Sequence, residues 1–255
     1  MNEIIHFQLE GKFAHFRKFY TNNTALSFTL PPRTTVMGIV AAMLSIEKDT
    51  YYKKLSSENF AVSVGLGSSI KKSFHRLNLL MIKGMGDFRG KLGRIQTPFE
   101  IIMPQNLKDG SIVYNFFVAA KNGNSDITST LIDVLKKKKP NFNITLGVAN
   151  FHASIINYDV ISNGDFSVHT ADNEELLFNS CVPSNSINAI TSDFENNFHI
   201  EEEHYPCDFI NDFDRELKRM QRLVYSTNAK PISLNYSGEY LQIKLENETK
   251  NICFI

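Results

Sequence analysis

Between Ser68 and Arg94 the chain reads SSIKKSFHRLNLLMIKGMGDFRGKLGR, with Lys71, Lys72, Arg76, Lys83, Arg89, Lys91 and Arg94 against a single acid, Asp87. A net charge of +6, interleaved with Phe74, His75 and Phe88, is chemistry suited to a single-stranded nucleic acid. Guanidinium groups grip phosphate bidentately, and aromatic rings stack on unpaired bases. Gly84, Gly86, Gly90 and Gly93 let the backbone come close to a ligand. The plainer reading of the same window is a solvated hairpin whose charges keep an exposed edge from aggregating.

A second basic cluster lies in FAHFRKFY (Phe13–Tyr20) and LPPRTT (Leu30–Thr35). Arg17 and Lys18 follow the first strand-like segment, and Arg33 opens a helix, where free backbone N–H groups and the helix dipole favour an anion. Thr34 and Thr35 add hydroxyl donors and are also ordinary helix-capping residues. Other chemistries find less. His199, Glu201–Glu203, His204 and Cys207 lie close together in FHIEEEHYPC, but the spacing is neither HExxH nor a zinc-finger pattern, so no metal site is expected. Gly65-Leu66-Gly67 and Gly84-Met85-Gly86 complete no phosphate-cradling glycine motif, and no Ser stands in GxSxG, so neither a cofactor nor nucleophilic hydrolysis is expected.

These groups need elements to hold them. The 255 residues carry 27 basic and 27 acidic side chains, and a zero sum would argue against a nucleic-acid protein. The sum hides a division. Residues 1–100 hold 14 basic and 7 acidic side chains, whereas residues 161–214 hold 12 acids and no Lys or Arg. That acidic stretch is expected to face solvent or a basic neighbouring protein. An apolar content of 42% with 20 Phe supports a real core. Three scattered cysteines, Cys181, Cys207 and Cys253, without CxxC suit a reducing compartment, and no leader or membrane-spanning pattern is read, so a cytoplasmic protein is expected.

Near-alternation over Glu3–Phe16 predicts a strand turning at Gly11. Val36, Ile39, Val40, Met43 and Leu44 make one face of a helix after Pro31-Pro32, capped by Thr34 or Thr35, and Gly38 on that face invites close approach of another backbone. Phe60–Leu66 alternates as a strand, Ser68–Gly110 reads as a long inserted hairpin, and Ile112–Ala119 as a buried strand. Ile127–Leu135, ending in Lys136–Lys139 and Pro140, is a second helix, and Ala153–Val160 another strand. The order is that of a split βαβ, ferredoxin-like α+β domain over residues 1–160, with the hairpin at 68–110. One sheet face would carry both helices and the other would be free for a ligand. Residues 161–255 would form an acidic, β-rich region packed on it, with helical spacing at Phe213, Leu217, Met220 and Val224 and closing strands around Tyr240–Lys244 and Asn251–Ile255.

The sequence resembles the Cas protein five family of the RAMP superfamily, in the version found in type I-B CRISPR surveillance complexes. The resemblance rests on Gly11–Tyr20, Thr29–Leu44, Phe74–Leu80, Arg94–Ile101 and Leu146–Ala153, with a looser match at Leu223–Ser226. It implies an RRM-like, ferredoxin-like domain with a thumb hairpin and a smaller β-rich C-terminal part. It also implies a subunit that holds the 5′ handle of the CRISPR RNA, caps the backbone of Cas protein seven subunits, contacts the large subunit, and meets target DNA only through the complex. Arg17, Lys18, Arg33, Thr34 and Thr35 would then be handle contacts, and Lys71, Lys72, His75, Arg76, Arg89, Lys91 and Arg94 thumb contacts. A type I-C branch resembling this chain cleaves precursor RNA itself. Such a reaction needs a base, an acid and a cation, for which His75, His15, Tyr20 and their basic neighbours are the material here. The branch's catalytic Tyr and Lys-His arrangement is not recognisable: Lys72-Ser73-Phe74-His75 lacks the adjacency. A non-catalytic subunit is therefore expected, with self-processing and a purely protein-contacting scaffold as alternatives.

Overall fold

A computed structural model describes residues 1–108, 110–122, 125–192, 199–211, 215–245 and 248–255. Two helices and many strands make a mixed α+β, strand-rich chain. In chain order these are β1 (Glu3–Gly11), β2 (Phe16–Arg17), β3 (Ser27–Phe28), α1 (Arg33–Met43), β4 (Phe60–Leu66), β5 (Ile70–Leu80), β6 (Arg94–Pro104), β7 (Ile112–Ala120), α2 (Ser125–Lys137) and β8 (Ala153–Ser162). Then follow β9 (Phe166–Phe178), β10 (Val182–Pro183), β11 (Ile187–Ile190), β12 (Ile200–Phe209), β13 (Leu217–Ser226), β14 (Ile232–Leu245) and β15 (Glu248–Ile252).

The central sheet is antiparallel, in the order β4-β7-β1-β8. Along β1, Ile5, Phe7 and Leu9 point one way and join Val62, Val64, Tyr114, Phe116 and Val118 beneath the helices. α1 contributes Val36, Val40 and Met43 to this layer, and α2 contributes Ile127, Leu131 and Leu135. α1 starts at Arg33 with Pro32 in the capping position. No side chain caps it, and the Pro32 carbonyl accepts from Thr35 N at 2.8 Å. The expected Thr34 or Thr35 cap is thus replaced by a proline whose fixed φ already suits a helix start. Gly38 makes room for a side chain rather than a backbone, since a Cβ there would lie 3.2 Å from the Tyr51 hydroxyl.

The second face of the sheet is not free. Ile4, Ala61, Phe117, Ala119 and Ile161 are buried against Leu241, Ile243, Leu245 and Ile252 of β14 and β15. β4 is buried on every residue. Its alternate positions Ala61, Ser63 and Gly65 are small, which lets a second sheet lie close. Exposing Phe117 alone would cost about 1.5–3 kcal/mol, which explains why this face is covered rather than presented to a ligand.

β14 pairs antiparallel with β9 along most of its length, with β15 at its end and with β11 near its start. The smaller sheet β10-β13-β12 packs beside α1. Leu217, Met220 and Val224, read from sequence as helical, lie instead in β13, paired to β12 from Ile200↔Ser226 to Phe209↔Leu217. Phe213 lies outside the described residues. Cross-strand pairing overrides a three-and-four spacing that runs over only four positions, and Met220 is left exposed by it. Among the described residues no helix is long and apolar enough to cross a membrane.

Candidate nucleic-acid interface

β5 and β6 form a two-stranded arm in unbroken register from Ile70↔Pro104 to Leu80↔Arg94. Its base is fixed in the core by Ile70, Ile102 and Met103. Backbone bonds tie it to the segment after β1: Ala14 N donates to Ile102 O at 3.0 Å, and Ala25 N to Pro98 O at 2.9 Å. The buried Glu100 carboxylate accepts from Ser27 N at 2.7 Å. His15 donates from Nδ1 to the Glu100 carbonyl at 2.7 Å and stacks on Phe99 with ring centroids 3.9 Å apart, while its backbone N–H donates to the Leu146 carbonyl at 3.0 Å. Gly147 is pressed so hard against this segment that a Cβ would lie 1.9 Å from His15 O, at φ +97°. Gly11–Tyr20, Arg94–Ile101 and Leu146–Ala153 therefore converge at His15. Burial pushes the His15 imidazole below its usual value, the Glu100 carbonyl only partly opposing it.

Outward from Phe99 the arm leaves the body. The Asp87 carboxylate accepts from Lys83 N and Gly84 N at 2.9 and 2.8 Å and closes a short 3-10 turn over Met85–Arg89. Gly90 and Gly93 take φ of +77° and +73°, so glycine is needed there for the return. Lys71, His75, Arg76, Lys83, Arg89, Lys91 and Arg94 are all exposed, and among the described residues none of them makes an ion pair. Phe74, Met85 and Phe88 stand exposed between them at 59%, 86% and 61%. The pairing register sorts the cations by face. Lys72, Phe74, Arg76 and Arg94 share one face, and Lys71 and His75 the other.

The second cluster divides. Arg17 is exposed, with Nη2 on Thr21 O at 3.2 Å. Lys18 is ion-paired to Glu203 and sits 5.6 Å from the Phe28 ring centroid. Burial would lower the Lys18 ammonium, but Glu203 outweighs it and holds it above its usual value. Lys72 is paired to Glu201 at 3.3 Å. The same Glu201 oxygen accepts from Thr29 Oγ1 at 2.6 Å and Tyr225 Oη at 3.0 Å. Burial pushes the Glu201 carboxyl up, yet Thr29 and Lys72 overcome this and hold it below the usual carboxylate range.

Arg33 departs most from expectation. It has no exposed surface. Its guanidinium donates to Asp208 Oδ1 at 2.7 Å and to the carbonyls of Leu55, Phe60 and Cys207 at 2.9, 2.5 and 3.2 Å. Asp208 is completed by Ser57 N at 3.0 Å and Ser57 Oγ at 2.6 Å. A side chain so enclosed cannot reach a ligand, so Arg33 is removed from the contact set and becomes the anchor of β12 on α1. Thr34 and Thr35 line a hollow of about 360 Å3 with Tyr51, Tyr52 and Arg215, a lining that includes neither Lys18 nor any arm residue.

The acidic stretch is corrected in part as well. Glu201, Glu203 and Asp208 each pair with a cation from the basic half of their own chain, Lys72, Lys18 and Arg33. The opposed charges of residues 1–100 and 161–214 carried that signal, unread as an internal match. His204 is exposed and Cys207 buried on β12, so they do not converge, and among the described residues no three His, Cys, Asp or Glu side chains are grouped to hold a metal.

This chain is similar in structure to a CRISPR protein from Archaeoglobus fulgidus, with a TM-score of 0.59 at 14% identity over 99% of this chain and 100% of that one. It is also similar to a chain of a CRISPR RNA-guided surveillance complex, with a TM-score of 0.50 at 11% identity over 90% and 91%. The fold is one found in CRISPR proteins. No protein-family model and no curated protein matches the sequence. The similarity to the Archaeoglobus fulgidus protein spans nearly the whole of both chains.

Proposed function

We propose that this chain is a CRISPR-associated protein, the RNA-binding, Cas protein five subunit of a type I-B surveillance complex in the cytoplasm. It holds the 5′ handle of the CRISPR RNA, caps the Cas protein seven backbone, contacts the large subunit and meets target DNA only through the assembly. The observation that carries this reading is the projecting β5–β6 arm with exposed cations that have no ion-pair partner among the described residues, on a fold shared with a chain of an RNA-guided complex. The central strand order and the two helices on one face support a ferredoxin-like RAMP domain over residues 1–160 carrying the arm as a thumb, with residues 161–255 packed on it.

Arg17, Lys71, His75, Arg76, Arg89, Lys91 and Arg94 are the available contacts. Lys18 and Lys72 come into play once their carboxylate partners yield, while Thr34 and Thr35 belong to a separate hollow. The subunit is non-catalytic in this reading. His75 stands on the arm face opposite Arg76 and Arg94 and shares its own face with Lys71. The test is to incubate the purified chain with repeat RNA in EDTA. Retention of intact RNA, with log affinity falling against log salt at a slope on the order of −3 to −4, is expected for about 4–6 phosphate contacts. A discrete cut would establish the nuclease instead, and neither retention nor cleavage would establish the protein-contacting scaffold.

A further inference from the structure

On the arm face of Arg76 and Arg94, the run of cations without an ion pair among the described residues stops at Lys72. On the face that carries Arg76 and Arg94, Lys72 lies four residues nearer the body than Arg76, roughly 13 Å along the strand. There β12 presents Glu201, and on the neighbouring segment Glu203 holds Lys18. The two pairs are unlike the Arg33–Asp208 pair. Arg33 and Asp208 have side chains 0% and 5% exposed, whereas Lys72 and Glu201 are 23% and 40% exposed and Lys18 and Glu203 14% each. Partly hydrated ion pairs are held weakly enough for a competing anion to open them, and a fully enclosed one is not.

We propose that Glu201 and Glu203 are resident counter-anions that set the selectivity of this surface. They neutralise Lys18 and Lys72 against isolated phosphates and yield to a strand already held by Arg76, Arg94 and the rest of the arm. The donors that seat them, Thr29 and Tyr225 on Glu201 and Tyr20 on Glu203, keep each carboxylate in place when no strand is bound. The cost of displacing two carboxylates is met by a long strand that touches many cations and not by a short one. This inference rests on the RNA-binding reading for its ligand but not for its electrostatics.

The test uses the full chain, fluorescein-labelled hexauridylate and a heparin column, a polyanion without bases. E201Q/E203Q is expected to bind hexauridylate at least fivefold tighter than wild type and to elute later from heparin. Its slope of log affinity against log salt should steepen by about 0.7 for each further phosphate that a released lysine neutralises. Adding K18Q/K72Q to that variant should abolish the tighter binding. If E201Q/E203Q folds as wild type and binds both probes no tighter, or more weakly, the carboxylates are positioning residues and the proposal is overturned. Should the double variant fail to fold, E203Q alone is read the same way, with half the change in slope. A heparin shift without RNA retention by any variant would leave the counter-anions standing and remove the RNA reading. RNA retention without a shift would do the reverse.

Discussion

Lys71 and Lys72 are adjacent in sequence and chemically identical, yet one is exposed without an ion pair among the described residues and the other is closed against Glu201. The difference is strand alternation: one side chain lies on the arm face turned from β12 and the other on the face turned toward it. The contrast extends to whole regions. Along the arm, Arg76, Lys83, Arg89, Lys91 and Arg94 keep their charge available, whereas along the β12 seam Lys18, Lys72 and Arg33 spend theirs inside the chain. Density of basic residues therefore measures how much charge a region has, and register decides how much of it a ligand can meet.

The sharpest way to break this contrast is at Arg33. Arg33→Met leaves the Asp208 carboxylate buried without its main partner, and removing one member of a buried pair costs about 3–5 kcal/mol. The expected outcome is a large fall in the urea midpoint at unchanged slope, with RNA affinity of the remaining folded fraction intact. A variant of wild-type stability that loses RNA affinity would place Arg33 with the arm after all. R33M/D208L, which removes both charges, should recover part of the loss.

Arm substitutions should behave in the opposite way. Arg76→Glu reverses an exposed charge with no ion-pair partner among the described residues, so the melting temperature should not move while affinity for repeat RNA falls about tenfold, ~1.4 kcal/mol. Phe88→Ala removes an exposed ring that can stack on a base and should weaken binding about fivefold, again at constant stability. Loss of stability in either variant would mean that the arm tip packs on something other than RNA.

Much of the fold was legible because its signals were local. The alternation in Phe60–Leu66, the apolar run of Ile112–Ala119 and the lysines closing α2 each mark an element by residues close together in the chain. Two features that were not legible depended on partners more than a hundred residues away. Nothing near Arg33 announces Asp208, and nothing near Phe117 announces Leu241 and Ile243, so the covered sheet face read as open. β13 was misread because its pairing is supplied by β12, which its own apolar spacing does not reveal. At the site, the arm's identity was legible from charge and glycine content, but its division into two faces required the register.

The smallest effect belongs to the point where arm and body meet. His15 is buried, donates from Nδ1 to Glu100 O, and has a buried Nε2 with no hydrogen-bond partner among the described residues. Burial lowers its folded-state value below the ordinary 6.5, so between the two values the unfolded chain binds the proton and the folded chain does not. The stability linked to His15 is thus fully present above about pH 6.5 and is lost as pH falls below it, with a slope from one proton of at most about 1.4 kcal/mol per pH unit. Urea midpoints of wild type should decline from pH 7.5 to 5.5, and the His15→Asn variant should show less of that decline. If His15 seats the arm, repeat-RNA affinity should also fall over this range in wild type more than in His15→Asn, whereas Arg76→Glu should keep the wild-type pH dependence at its lower affinity. An affinity decline equal in wild type and His15→Asn would uncouple the anchor from the binding face.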